Sequence, residues 1–547
     1  MTMKKLSLFL FLCLICLHSL NAQNNISALL PMPNHVEVKK GNSFSISERT
    51  GIYVPDKSLQ FEANELQRRI EKYVGSKLHI QYGIPDDGKN ICLMINPALK
   101  GSEHYQLDVS DKNILISGAS SKGVFYGIKT LEQVLIGDAC NAMTGHIAPL
   151  WIDDSPRFAF RAFMLDPARH FLPMEDVKFF IDKMADYKYN VLQLHLTDDQ
   201  GWRIEIKKYP KLTEMGAFRN KDGGKQGPDN GYYTQEQIKE IIEYAAKRHV
   251  EVIPEMDIPG HTAALLAVYP ELGCIRTDTA KTVIGKTTDV MLCANQPEVY
   301  EMYRDIIAEV SALFPSKKIH LGGDEALIEK NWAKCVRCQK LMTELEYTKA
   351  SDLMNYFFDK MLSFVRENKK EPILWCELDN IRLPADSYLF DYPKDVTLVS
   401  WRAGLSPLCL DLTRRHGNPI IMAPGEYAYL DYPQYKGDLP EFNNWGMPVV
   451  TLEQVYRFDP GYGGTREEQQ HIQGIMATLW AEAIKDINRV TYMAYPRGLA
   501  LAEAGWTQME NRSWESFKAR IYPNLYRMMK EGVYFRVPFE IAERDAK

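Results

Sequence analysis

The sequence predicts an α/β protein, a (β/α)8 TIM barrel preceded by a smaller α+β domain. Three observations lead there. Eight short apolar runs recur after residue 159, separated by helical patterns and polar loops. Acids, histidines or tryptophans follow nearly every one of those runs. A proline-bearing strip, Ala148 to Phe158, divides them from a first segment with a different rhythm.

In chain order, residues 1–22 stand apart. Lys4 and Lys5 open the chain, LSLFLFLCLICL is apolar, and SLNA leads into a polar QNN stretch. This is the layout of a secretory signal peptide, too short and wrongly flanked for a membrane anchor. A lipid on Cys16 would want a small residue where Ile15 stands. Export to the periplasm or beyond is the expectation.

Residues 23–155 form the expected α+β domain. Its strand-like runs are KLHIQYG, NICLMINP and YQLDVSDKNILISGA, and its helical patterns are Phe61 to Val74 and Gly123 to Leu135. The barrel is expected over 156–510. Its strands are FRAFMLD (160–166), NVLQLHL (190–196), VEVIPE (250–255), KIHLGG (318–323), ILWC (373–376), TLVSW (397–401), PIIMA (419–423) and GIMATLW (474–480). Parallel strands covered on both faces should be continuous apolar runs, as these are. Met174 to Tyr187, with Val177, Ile181, Met184 and Tyr187 at helical spacing, is typical of the connections. Residues 511–547 are charged and aromatic and are expected as a closing helical extension on the barrel.

A formal charge of −6 over 547 residues favours neither nucleic acid nor anionic membrane as partner. Of ten cysteines, Cys13 and Cys16 belong to the leader. Cys274 and Cys293 bracket a polar stretch and are expected as a disulfide in an oxidising compartment. Cys335 and Cys338 form one CxxC without a second pair, weak ground for zinc or redox work. A local disulfide or two thiols is the expectation there, with no metal and no cofactor.

The chemistry lies at the strand ends, where a barrel places its active site. The richest is HLGGDEA, His320 to Ala326: Gly322 and Gly323 permit a tight turn that projects Asp324 and Glu325. Two adjacent carboxylates in a confined site should push one pKa up, as a general acid needs. The other ends carry LDPARH (Leu165 to His170), HLTDDQGW (His195 to Trp202), PEMDIPGH (Pro254 to His261), Trp375 with Glu377, Trp401, Tyr429 with Asp431, and Trp480 with Glu482. Tryptophans beside acids suit a sugar, whose apolar face stacks on indole while carboxylates take its hydroxyls. No HExxH or similar ligand spacing favours a catalytic metal.

HLGGDEA with LDPARHF, HLTDDQGWRIEI, PEMDIPGH and LWAE resembles the family 20 glycoside hydrolases, the β-N-acetylhexosaminidases, over most of the chain and in that family's order. The resemblance implies that Glu325 is the general acid/base. Asp324 would orient the substrate's own 2-acetamido group, whose oxygen attacks the anomeric carbon, an exception to the two-carboxylate scheme. It implies further that Arg161 and Glu482 bind the outer hydroxyls and Trp375, Trp401 and Trp480 wall the sugar. Tyr429 would bind the acetamido carbonyl and Asp431 the outer hydroxyls. Asp198 and His261 would be the relay that sets the acid's protonation, with Asp257 close by and Asp198 preferred to Asp199. The partners implied are glycans ending in β-linked GlcNAc or GalNAc. Competing readings are a relative releasing a disaccharide or sulfated GlcNAc, a noncatalytic glycan-binding barrel, and a conventional retaining glycosidase using Glu377 or Glu482 as nucleophile.

Overall fold

The computed structural model describes residues 26–542 except 84, 86–87, 138–144, 219–228, 275–289, 378–390 and 439–445. The expected signal peptide and Cys16, most of the stretch between Cys274 and Cys293, and the last five residues lie outside the described residues. The chain divides into two units. One comprises 1–157, 186–188 and 502–547; the other comprises 158–185 and 189–501.

The first unit is built on a mixed sheet. Its strand order is His35–Val38, Leu150–Asp154, Tyr105–Val109, Asn113–Gly118, Asn90–Ile95, Gly51–Val54 and His79–Tyr82. Helices Gln60–Val74 and Ser121–Ile136 bury their apolar stripes; Ser120 caps the second, and Gly75 ends the first at φ +79°. LWIDD, part of the strip expected as a boundary, is a strand whose residues alternate between buried and half-buried. Its buried Asp154 is neutralised by Lys188 Nζ at 2.9 Å and hydrogen-bonded by Tyr105 and Trp506. The C-terminal helix Trp514–Lys530, expected on the barrel, groups with this unit. Its buried cations find their anions here: Arg520 grips Glu503 through two 2.9 Å bonds, and Arg527 reaches Glu132 at 3.2 Å.

In the second unit, among the described residues, eight parallel strands close into a barrel. They are β1 (Phe160–Leu165), β2 (Val191–His195), β3 (Glu251–Ile258), β4 (Lys318–Gly322), β5 (Glu371–Trp375), β6 (Thr397–Ser400), β7 (Ile420–Met422) and β8 (Ile472–Leu479). β1 pairs with both β2 and β8, which closes the ring. The strands are buried almost throughout, as covered parallel strands should be. Met174–Asp186 is the expected first connecting helix, with Val177, Ile181 and Met184 fully buried. No described helix is long and apolar enough to cross a membrane.

Cys274 and Cys293 are not the expected disulfide. Both are free thiols, as are Cys335 and Cys338, and the four sulfurs converge.

Candidate active site

β4 delivers the acid pair through a backbone that only glycine can form. Gly322 has φ +68° and Gly323 φ +102°. A Cβ on Gly322 would lie 1.7 Å from Asp257 Oδ1, so the turn exists to let that carboxyl in. Asp257 Oδ1 accepts the Gly323 N–H at 3.1 Å. Glu325 itself sits at φ +50°, a left-handed conformation that a non-glycine residue adopts at a cost of about 1–3 kcal/mol and that clusters at functional sites. Its N–H donates to Glu377 Oε2 at 3.4 Å, and Arg402 holds the other Glu377 oxygen at 2.7–2.8 Å. Burial pushes the Glu377 carboxyl up to about 7 against the pull of Arg402.

The loop after β3 brings His261, also left-handed at φ +51°, to the pair. His261 Nε2 lies 3.8 Å from Asp324 Oδ2 and 3.7 Å from Glu325 Oε2, and Nδ1 lies 3.4 Å from Asp198 Oδ1. Asp198 Oδ2 in turn meets His195 Nε2 at 2.9 Å and Arg169 Nη2 at 3.0 Å. His195 Nδ1 lies 2.9 Å from Glu255 Oε2, and Trp375 Nε1 donates to Glu255 Oε1 at 2.8 Å. Burial would hold His261 neutral, but Asp198, Asp257 and Asp324 outweigh it and keep its pKa well above the ordinary imidazole value. Burial likewise opposes the Asp198 charge, yet Arg169, His261 and His195 hold its pKa well below the usual range. Burial and the Asp324 charge push Asp257 the other way, well above it. Asp199 faces elsewhere: its Oδ1 accepts the Ala263 N–H at 3.0 Å.

Above the pair opens a cavity of about 610 Å³. Trp401 and Tyr429 stand nearly parallel at 6.4 Å, and Trp480 tilts against Tyr429 at 6.3 Å. Arg169, Asp431 and Glu482 line it as well, with Arg169 Nη2 3.9 Å from Glu482 Oε1. Five buried polar atoms of the residues lining it have no hydrogen-bond partner among the described residues: the acceptors Asp324 Oδ1 and Asp431 Oδ1, the donors Trp401 Nε1 and Arg169 Nε, and His261 Nδ1. Buried polar atoms are rarely left so, and aromatic walls with waiting donors and acceptors match a hydroxylated, amide-bearing ring.

Comparison with known proteins agrees with this geometry. The family model described as glycosyl hydrolase family 20, catalytic domain, matches residues 158–509, and that of the family's domain 2 matches residues 27–155. The chain belongs to glycosyl hydrolase family 20. It is similar to a β-hexosaminidase of Akkermansia muciniphila, 38% identical over 79% of this chain and 85% of the relative. A β-hexosaminidase of Porphyromonas gingivalis is 33% identical over 93% of this chain and 64% of its own length. Among solved structures, an exo β-N-acetylglucosaminidase from Vibrio harveyi in complex with N-acetylglucosamine superposes with a TM-score of 0.81 at 32% identity. That match covers 94% of this chain and 79% of the other. The chain is a glycoside hydrolase of the β-hexosaminidase kind.

Within this family 20 site the structure brings together Asp324, Glu325, His261, Trp401, Tyr429, Asp431, Trp480 and Glu482 around the cavity. Asp198, Asp257 and Trp375 lie one layer deeper and position others; Trp375, 1% exposed, packs on Trp480 and His320. Arg161 is a correction. It is the second residue of β1, at the end of the barrel opposite the cavity, and its guanidinium donates to Phe158 O at 2.6 Å. The arginines that line the cavity are Arg402, which is paired with Glu377, and Arg169. The signal for Arg169 was in LDPARH, four residues past the C-terminal end of β1. Arg402, Glu377, His195 and Glu255 were also missed as supports; the first three sit at or just beyond a strand end, and Glu255 lies within β3.

Proposed function

We propose that this family 20 enzyme removes terminal β-linked GlcNAc or GalNAc from glycans by a retaining, substrate-assisted mechanism. The observation that carries the reading is Asp324: buried, next to Glu325, lining the cavity, and with Oδ1 lacking a hydrogen-bond partner among the described residues. An acetamido N–H fits that acceptor. Held there, the group's carbonyl oxygen attacks the anomeric carbon as Glu325 protonates the departing glycosidic oxygen. The C1–O bond breaks, a C1–O bond to the acetamido oxygen forms, and Asp324 stabilises the positive charge spread over the ring so made. Glu325, now ionised, takes a proton from water, which attacks C1 from the side the leaving group left and restores the acetamido group. In this reading Tyr429 binds the acetamido oxygen, and Arg169, Asp431 and Glu482 take the outer hydroxyls; that all four line the cavity supports it. Glu377 is not set up as a nucleophile, because Arg402 and the Glu325 N–H occupy its oxygens.

The test is progressive fluorination of the N-acetyl methyl in 4-nitrophenyl β-glycosides. kcat should fall steeply with each fluorine while KM changes little. In Asp324→Asn, kcat should drop more than KM rises, as for a contact made mainly in the transition state. A covalent adduct trapped on Glu377 or Glu482 by a 2-fluoro glycoside would refute the reading.

A further inference from the structure

Outside the sugar site, three pieces of chain bring four cysteines to one point. Cys274 and Cys293 stand on two segments joined by an antiparallel bridge between Gly273 and Leu292, and Cys335 and Cys338 flank the first turn of helix Val336–Glu344. The Sγ atoms of Cys274 and Cys338 are 3.7 Å apart, those of Cys293 and Cys338 3.6 Å, and those of Cys293 and Cys335 3.9 Å. All four lie within 4.8 Å of one another. A disulfide needs sulfurs about 2 Å apart, so none of these is one. Four thiolates around Zn²⁺ at about 2.3 Å place their sulfurs about 3.8 Å apart on the edges of a tetrahedron. Three of the six separations, 3.6–3.9 Å, match those edges, and the rest stay within 4.8 Å.

The surroundings suit a thiolate cluster. The Arg337 guanidinium donates to Gly273 O and Gln296 Oε1, tying the CxxC segment to the two stretches that carry Cys274 and Cys293. Cys293, Cys335 and Cys338 are buried, and Asn295 Nδ2 locks the turn by donating to Arg337 O at 2.7 Å. Soft sulfur ligands in a closed tetrahedron with no open position select zinc in a structural role over harder cations.

We propose that Cys274, Cys293, Cys335 and Cys338 bind one structural Zn²⁺. On binding, the four thiols release four protons to solvent and form four Zn–S bonds, with no change of oxidation state. This replaces the disulfide expected at Cys274 and Cys293 and the expectation that the protein holds no metal. The knot also supports the reaction site. Leu292, beside Cys293, donates its N–H to Pro259 O at 3.0 Å, two residues before His261, and accepts Trp332 Nε1 at 2.8 Å from the loop that follows Glu325.

The experiment uses the untagged full chain purified without added metal. Elemental analysis should find about one zinc per chain, and a thiol-specific mercurial should release it as about four equivalents react. Cobalt grown into the protein should show the visible bands of tetrahedral Co²⁺–thiolate. Cys335→Ser with Cys338→Ser should abolish zinc binding and lower Tm, whereas Asp257→Asn, which alters both of the other candidate clusters among the described residues (His195, Glu255, Asp257 and Asp198, Asp257, His261), should keep its zinc. If the double variant fails to fold, the native protein's metal content still decides. Native protein without zinc, its four cysteines alkylating as thiols or mapping as disulfides, overturns the proposal. So does zinc that survives loss of Cys335 and Cys338.

Discussion

Replacing Gly322 with alanine should damage the enzyme out of proportion to one methyl. The new Cβ would fall 1.7 Å from Asp257 Oδ1 and 2.8 Å from its Cα, so rotating the carboxyl aside is not enough. At φ +68° the side chain adds left-handed strain of about 1–2 kcal/mol. Moving Asp257 breaks its bond to the Gly323 N–H, a buried loss of about 1–3 kcal/mol. Together these put the cost near 4 kcal/mol, which at about 2 °C per kcal/mol for a domain of this size lowers the barrel's Tm by about 8 °C. Asp324 follows directly on these glycines, so kcat should fall at least about 10²-fold, on the scale of a displaced catalytic group. Gly323→Ala is the comparison: at φ +102° it carries backbone strain too, but its Cβ would meet only side-chain tips, Phe358 Cζ at 3.3 Å and Leu374 Cδ2 at 3.7 Å, so it lacks the clash with Asp257 and its effect should be smaller. Differential scanning calorimetry with 4-nitrophenyl β-GlcNAc kinetics measures both. A Gly322→Ala enzyme of unchanged Tm and kcat would show that Asp257 does not fill the space the turn leaves.

Glu325→Gln should retain the fold and lower turnover of natural oligosaccharides at least about 10²-fold, with a milder loss on an aryl leaving group that needs less protonation; near wild-type cleavage of oligosaccharides excludes it as the acid. Arg169→Met should reduce kcat/KM by about 10²-fold, because it faces the cavity and steadies Asp198, while Arg161→Met should lower Tm and leave KM unchanged. The reverse pattern would return the sugar contact to Arg161. Burial holds His320 at about 4, below its ordinary 6.5, and its Nδ1 accepts the Gly322 N–H at 2.9 Å. The folded state therefore binds fewer protons, and stability present above pH 6.5 should decline by about 3 kcal/mol as pH falls toward 4. Urea melts across that range should show this slope in wild type and lose it in His320→Asn; an unchanged slope in the variant refutes the assignment.

The barrel was legible because each of its strands is a buried apolar run, a signal that needs no tertiary context: FRAFMLD became Phe160–Leu165 and GIMATLW became Ile472–Leu479. Leu150–Asp154 was not, since two acids beside a proline look like linker. What makes Asp154 a core residue is Lys188, Tyr105 and Trp506, none of them near it in sequence. Arg161 illustrates the same limit at the site. Position along a parallel strand decides which end of the barrel a side chain serves, and an arginine at the start of β1 cannot reach the end where Glu325 stands. The cysteines show it again: one CxxC has no partner until the fold carries Cys274 and Cys293 to it.

The acid pair was visible as a motif, but what allows it to work was not. Asp324 and Glu325 meet His261; behind it come Asp198, His195 and Glu255, anion and cation in alternation from β4 through the ends of β3 and β2 and back into β3. Apart from Glu325, which is exposed, these charges are largely buried and would be costly alone, and each is stabilised by the next. Glu255 held down to about 2, with His195 and His261 held well above the ordinary imidazole value, are the electrostatic consequence of that order. Removing one member leaves its neighbours as unpaired buried charges, a heavier loss than a single hydrogen bond. The row also holds the His261 ring between Asp198 and the two carboxylates proposed to act on the substrate. The chemistry of Asp324 and Glu325 therefore depends on residues drawn from three strands, which no single stretch of the sequence contains.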